Sequence, residues 1–227
     1  MRPNPRVPPA DDSPLALAEL ALAPGEELAF HEARRDALLY VVEGSGSVTV
    51  GEERGELVPG AAALVLAGEE ASFSVGEDGL EVLVATVGPE ADRHAPLGAR
   101  ELVVAPDAAG SERATGARSF GVFFGPHNGC TRATLFAGRI PPGKAPWHYH
   151  LYDEIVWVPE GPGRLYLGDE STELGPGSAF RLRPRQVHIV ENAGDRELTI
   201  IGIFSPAGSP SAAYLEPHVA AEYRFAG

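Results

Sequence analysis

Three histidines and one glutamate in the second half of the chain have the types and spacing to bind a metal ion. The segment Gly143-Lys-Ala-Pro-Trp-His148-Tyr-His150-Leu-Tyr-Asp-Glu154 puts His148, His150 and Glu154 at even positions. Side chains two apart on a strand share a face, so a continuous strand would present two imidazoles and a carboxylate together. That donor set suits a divalent cation of borderline hardness. His188 follows Pro184 in Arg181-Leu-Arg-Pro-Arg-Gln-Val-His188 and supplies a fourth ligand if a closed barrel brings its strand opposite the first three. The alternative is four polar side chains lining an empty barrel and hydrogen-bonded to one another.

The elements that must hold these residues are short. Apolar or alternating runs at residues 38–42, 47–50, 80–87, 155–158, 164–167, 179–182 and 198–204 are bounded by Gly, Pro and Asp clusters. Short strands at such spacing indicate an all-β sandwich or barrel. Few segments carry helical periodicity; residues 212–223 are the best candidate and predict a short C-terminal helix. The chain also repeats itself. Shifted by 117 residues, EGSGSVTVGEERGELVPGAA from Glu43 lies over EGPGRLYLGDESTELGPGSA from Glu160 without a gap. Gly51 falls on Gly168, Pro59 on Pro176 and Gly60 on Gly177. Matched Gly and Pro imply matched backbone geometry, because both are tied to particular dihedrals. Two tandem copies of one β domain follow, at residues 15–89 and 117–206. The expected surroundings are a loose arm at 1–14, a connector at 90–116 and a tail at 207–227.

At these residues the chain resembles the cupin superfamily, in a two-barrel form. The first cupin motif reads G-x5-H-x-H-x3/4-E-x6-G. Here Gly143 stands one place too close to His148, and the rest, through Gly161, fits. The second motif reads G-x5-P-x-G-x2-H-x3-N. Gly177, His188 and Asn192 fit, Pro184 falls one place late, and Arg185 stands where the motif has its inner Gly. The resemblance implies two tandem jelly-roll β-barrels and a ligand role for His148, His150, Glu154 and His188. The 117-residue shift places His31, Ala33, Ala37 and Ala71 under those four ligands. Alanine cannot coordinate, so the first barrel is expected to be metal-free, with a structural role ahead of an apolar-ligand pocket.

Neighbouring residues are read more plainly. Trp147, Tyr149 and Tyr152 surround the ligands; Trp147 and Tyr149, of opposite parity to the two histidines, are expected to pack, as is Trp157. Arg181, Arg183 and Arg185 share a face and are expected to form ion pairs, with binding of a substrate carboxylate or phosphate as the alternative. Lys144 and Gln186 border the expected barrel mouth and are the substrate-contact candidates. Asp153 is read equally as solvated or functional. His94, His127 and His218 are expected at the surface, and Cys130, the one cysteine, as a small buried apolar residue.

Composition sets the outer limits. The 227 residues carry a net charge of −14, which argues against nucleic acid or an anionic membrane as partner. One cysteine excludes an intrachain disulfide and a thiolate zinc site. No apolar run reaches the length of a membrane span, and no secretory signal opens the chain, so a cytoplasmic protein is expected. Exposed barrel edges make a homodimer a fair expectation. Four protein ligands would leave one or two octahedral positions open, and Fe²⁺, Mn²⁺, Ni²⁺ and Zn²⁺ all accept this donor set. The expected function is therefore a metal-dependent enzyme on a small organic molecule, of dioxygenase or isomerase/epimerase type. The alternative is a non-catalytic small-molecule-binding or sensory protein.

Overall fold

The computed structural model describes residues 4–114, 117–211 and 214–215. The chain is nearly all β. Its first half contains β1 (Asn4–Val7), β2 (Leu15–Leu22), β3 (Glu27–His31), β4 (Asp36–Val50), β5 (Glu53–Leu57), β6 (Ala62–Val65), β7 (Glu70–Val87) and β8 (Val103–Val104). Its second half contains β9 (Glu112–Arg113), β10 (Ser119–Phe124), β11 (Thr134–Ile140), β12 (Gly143–Lys144), β13 (His148–Tyr149) and β14 (Asp153–Val158). It continues with β15 (Gly163–Leu167), β16 (Glu170–Leu174), β17 (Ser178–Leu182), β18 (His188–Asn192), β19 (Leu198–Ser205) and β20 (Tyr214–Leu215).

The first half is one eight-stranded sheet ordered β1-β2-β7-β4-β6-β8, with β3 on β7 and β5 on β4. The second half makes two six-stranded sheets in a jelly-roll arrangement. One runs β17-β14-β19-β11-β10-β9; the other runs β16-β15-β18-β13-β20, with β12 on β18. The 117-residue repeat is visible in the strands themselves: β5 and β16, β6 and β17, and β2 and β11 occupy matching places. Its turn glycines match too, with φ 59° at both Gly51 and Gly168, and 84° and 76° at Gly60 and Gly177. The copies differ in continuity. β7 is one strand of 18 residues, whereas its counterpart is divided between β18 and β19, which lie in different sheets.

All six residues of β14 are buried. Its odd positions, Ile155 and Trp157, join Ile201, Ile203 and Leu135 in a core shared with Leu17, Leu38 and Leu83 of the first half. Its even positions, Val156 and Val158, fill the interior of the second half with Leu165, Val190 and Ile200. Leu39, Val41, Val48, Leu57 and Phe73 fill the interior of the first. Strands apolar on both faces therefore build two interiors and the seam between them. Cys130 sits in that seam, where burial pushes its thiol up to about 12 and keeps it protonated.

Three expectations about segments need correction. Residues 4–14 are not a loose arm. β1 pairs with β2, Arg6 meets Glu19 at 2.7 Å, and Arg181 donates to Pro8 O at 3.1 Å and Leu15 O at 2.9 Å. Residues 90–116 are more than a connector, because β8 extends the first half's sheet on β6 and β9 extends the second half's on β10. Of residues 212–223, expected as a helix, only Tyr214–Leu215 are described, and they pair with β13 as a strand; the others, His218 among them, lie outside the described residues. His94 and His127 are exposed as expected.

One buried ion pair bridges the halves. Arg132 Nη1 lies 3.1 Å from Asp36 Oδ1 and donates to Arg34 O at 3.2 Å, while Asp36 Oδ1 also accepts from Ala67 N at 2.9 Å. Removing one partner leaves the other charge buried and uncompensated, which costs about 3–5 kcal/mol. Asp36→Ala should lower stability by that amount in chemical denaturation, and the Asp36→Ala/Arg132→Met double variant should recover part of the loss.

Candidate metal centre

The ligand candidates converge, but not along one strand. β13 ends at Tyr149, the chain bends at residues 151–152, and β14 begins in the facing sheet. The expectation of a continuous strand from His148 to Glu154 is thus corrected: sheet-to-sheet crossing brings Glu154 round to the histidines. His148 pairs in register with His188, which sets their rings 4.4 Å apart. The His150 ring lies 5.2 Å from that of His148 and 4.9 Å from that of His188. One nitrogen from each imidazole falls within 4.8 Å of the others. Glu154 Oε2 lies 2.9 Å from His150 Nδ1, and all four residues are buried.

Backbone carbonyls orient two of the rings. His148 Nδ1 donates to Pro146 O at 2.9 Å, and His188 Nδ1 donates to Gln186 O at 2.8 Å, each two residues upstream. A carbonyl can only accept, so each Nε2 is left as the lone-pair nitrogen, the tautomer that metal-binding histidines adopt. Burial holds both rings neutral, His148 lowered to about 2 and His188 to about 4, with a neighbouring histidine adding to each effect. His150 Nδ1 and Glu154 Oε2 are buried and, despite their closeness, not aligned as a hydrogen bond. Buried polar atoms without such a bond are costly. Two convergent neutral imidazoles, a third imidazole and a carboxylate so placed fit a divalent ion.

The surroundings are specific. Arg185, which stands where the cupin motif has its inner Gly, has φ 64°, a left-handed conformation that favours glycine, and its N–H donates to His150 O at 2.6 Å. Tyr152 stacks at 20° on His150 and on Phe204, with ring centroids 4.6 Å and 3.9 Å away; burial raises its hydroxyl well above the usual range. Asn192, the last residue of that motif, braces the turn by donating to Ile140 O at 2.8 Å and Arg196 O at 2.6 Å. Gly202 pairs with Val156, and a Cβ there would come within 2.2 Å of the Phe136 ring and 3.1 Å of Glu154 Oε1. Asp153 is buried rather than solvated. It accepts from Ser13 Oγ and from Arg181 Nη1, the latter at 3.0 Å, and Arg183 pairs with Asp12 at 2.9 Å. Arg181 and Arg183 thus form the expected ion pairs, tying the N-terminal segment to the strand that carries Glu154.

Beside the four candidates is a cavity with about 70 Å³ of free space, room for a few waters or a small ligand. Its walls include Phe120, Phe136, Ile140, Val156 and Ile200, and its polar lining includes Arg118 and Arg139. Lys144 and Gln186 are not among its lining residues. Lys144 Nζ sits 3.9 Å over the Tyr166 ring. Gln186 Oε1 accepts from Arg183 N at 2.9 Å, so it shapes the loop before His188. Sequence reasoning missed Arg118 and Gly202. Nothing local marks Arg118, which is 30 residues from His148, whereas Gly202 could have been found as the gap in an otherwise bulky strand.

Comparison with known proteins agrees with this fold. Residues 138–204 match the family model described as a Cupin domain. The fold is similar to a mutant of Bacillus subtilis oxalate decarboxylase, at TM-score 0.74 and 14% identity over 93% of this chain and 75% of that one. It is also similar to Lactobacillus farciminis oxalate decarboxylase in its formate complex, at TM-score 0.71 and 13% identity over 94% and 82% of the two chains. At such identities the likeness is one of fold. No curated protein matches the sequence.

Two measurements probe the centre. In chelator-treated protein the folded state keeps His148 and His188 neutral, while the unfolded chain protonates them below about 6.5. Stability should therefore fall as pH drops below that value, His188 contributing down to about 4 and His148 further. A His148→Asn/His188→Asn variant should show a shallower loss in melting temperature over that window. Gly202→Ala should displace Phe136 and Glu154 and weaken metal affinity by roughly 10–100-fold, as disturbing a ligand's support does, in a competitive chelator titration.

Proposed function

We propose that the chain is a two-barrel cupin whose second barrel holds one divalent metal through His148, His150, Glu154 and His188. On this reading it is a metal-dependent enzyme acting on a small organic molecule. The observation that carries the proposal is the clustering of three buried imidazoles, with Glu154 Oε2 2.9 Å from His150 Nδ1, beside a small cavity. A divalent ion there would supply Lewis-acid polarisation of a substrate oxygen or, as Fe²⁺, reaction with dioxygen.

The protein's own part follows from its side chains. Pro146 O and Gln186 O fix the two tautomers. The apolar walls limit water around the ligands, which strengthens every electrostatic contact inside. Tyr152, held protonated by burial, can donate a hydrogen bond but cannot serve as a base near neutrality. Among the described lining residues no base stands apart from the ligand candidates, because the other ionisable groups are Arg118, Arg139 and Tyr152. That favours dioxygenation or isomerisation, in which the metal carries most of the chemistry, over reactions that need a separate general base. The similar folds are oxalate decarboxylases, and decarboxylation belongs to the same menu. A binding or sensory role is the second reading, favoured by the same lack of a base.

Elemental analysis of purified protein decides the metal. Wild type should contain about one equivalent per chain and a His148→Ala/His150→Ala variant close to none. Equal metal in both would refute the assignment. Substrate turnover after reconstitution with Fe²⁺, Mn²⁺, Ni²⁺ or Zn²⁺ separates enzyme from sensor.

A further inference from the structure

We infer that Phe136 limits what can reach the metal position to a short chain of about four non-hydrogen atoms or fewer, and excludes a ring. The inference rests on the reading of this cavity as a ligand site, and adds the class of ligand and the residue that selects it.

The cross-strand pairs of the two copies carry the argument. Leu39 of β4 and Val156 of β14 match under the 117-residue shift. Leu39 pairs with Val84 of β7, which pairs in turn with Ala18 of β2. Val156 pairs with Gly202 of β19, which pairs in turn with Phe136 of β11. Directly opposed residues of an antiparallel pair share a face. The first half therefore sets Ala18 beside Val84 where the second sets Phe136 beside Gly202. The first half's interior is closed around Ala37 and Ala71, yet a groove of about 310 Å³ is lined by its Ala18 and Val84. The cavity walled by Phe136 keeps about 70 Å³.

The ring is held in place by its neighbours. Phe136 is buried, and its Cε1 and Cζ lie 2.2 Å and 2.3 Å from where a Cβ on Gly202 would stand. Glu154 Oε1 lies 3.1 Å from the same point, so the ring and the carboxylate border one spot on β19. The Phe204 ring meets Phe136 edge-on, with centroids 5.8 Å apart. On the far side, Phe136 Cε2 lies 3.5 Å from where a Cβ on Gly138 would stand. A ring packed on these sides narrows the cavity permanently. An apolar cavity of about 150 Å³ binds benzene. One of about 70 Å³ holds roughly half as many atoms. Phe120, Ile140, Leu182 and Ile200 complete an apolar wall, which leaves a second polar group on the ligand without a partner and makes its burial costly. One donor atom for the metal on a short apolar body is the chemistry that fits.

The test uses full-length protein loaded with Co²⁺, which imidazole and carboxylate donors accept. It is titrated with ethanethiol and with benzenethiol, and binding at the metal is read from the thiolate charge-transfer absorption. Wild type should bind ethanethiol roughly tenfold or more tightly than benzenethiol, the usual cost of overfilling a packed site. Phe136→Ala should bind benzenethiol at least as tightly as ethanethiol. Phe136→Leu, which keeps the interior filled should the alanine variant fail to fold, should narrow the wild-type preference. In chelator-treated protein with ¹⁵N-labelled histidine, benzene should shift the buried imidazole signals of the Phe136 variants and leave those of wild type in place. Equal affinity of wild type for the two thiols, an equal benzene shift in wild type, or an equal loss of both thiols in the variants would overturn the inference. Failure to load Co²⁺ would count against the metal assignment alone, because the benzene measurement needs no ion.

Discussion

The structure depends on strands that are buried on both faces. β14 and β19 alternate between two tasks with the two-residue period of a strand. Odd positions such as Ile155, Trp157, Ile201 and Ile203 pack against the first half of the chain. Even positions face the interior, where Glu154, Val156 and Gly202 border the ligand cavity. A slip of one residue in register would send Glu154 into the seam and Ile155 into the cavity. Packing of the two halves therefore fixes the strand that the candidate metal centre needs. The polar ties of the seam, Arg132 with Asp36 and Arg181 with Pro8 O and Leu15 O, restrict sliding.

The centre itself is built by closing one sheet on the other. His148 and His188 oppose each other across a strand pair, and Glu154 arrives from the facing sheet after the bend. The left-handed Arg185, whose N–H holds His150 O, fixes the end of that crossing. A non-glycine residue there costs about 1–2 kcal/mol, which the loop's hydrogen bonds and the Arg183–Gln186 contact help to offset.

Much of this was legible in the sequence, for physical reasons. Gly and Pro restrict dihedrals, so the matched turns at Gly51 and Gly168 announced a repeated backbone. The spacing of His148, His150 and His188 picked out three residues whose ring nitrogens the fold brings within 4.8 Å of one another, with Glu154 beside His150. The sequence misled where tertiary context rules. Pro and charged residues made residues 4–14 read as loose, yet Arg181 and the edge of β2 claim their backbone groups. Parity along one strand suggested the right face for the wrong reason, since the chain changes sheets at the bend. Arg118 carried no local sign, because it joins the cavity only through long-range pairing of β10 with β11.

The two halves also show how little separates a packed interior from a site. At the positions matching Glu154 and His188, the first half has Ala37 and Ala71, both enclosed in its apolar core. Its His31 is exposed and bound through Nδ1 to Glu69 O at 3.1 Å. Phe73 and Leu39 occupy the interior, and the unbroken β7 keeps one sheet where the second half has two. Small side chains at the ligand positions let large apolar neighbours close over them, and closing that space removes any reason to bury charge. In the second half, neutral imidazoles and one carboxylate prevent such collapse, because each must keep a polar partner. The same strand order thus supports an apolar core in one copy and a cavity in the other, with the difference set by side chains at a handful of inward-facing positions.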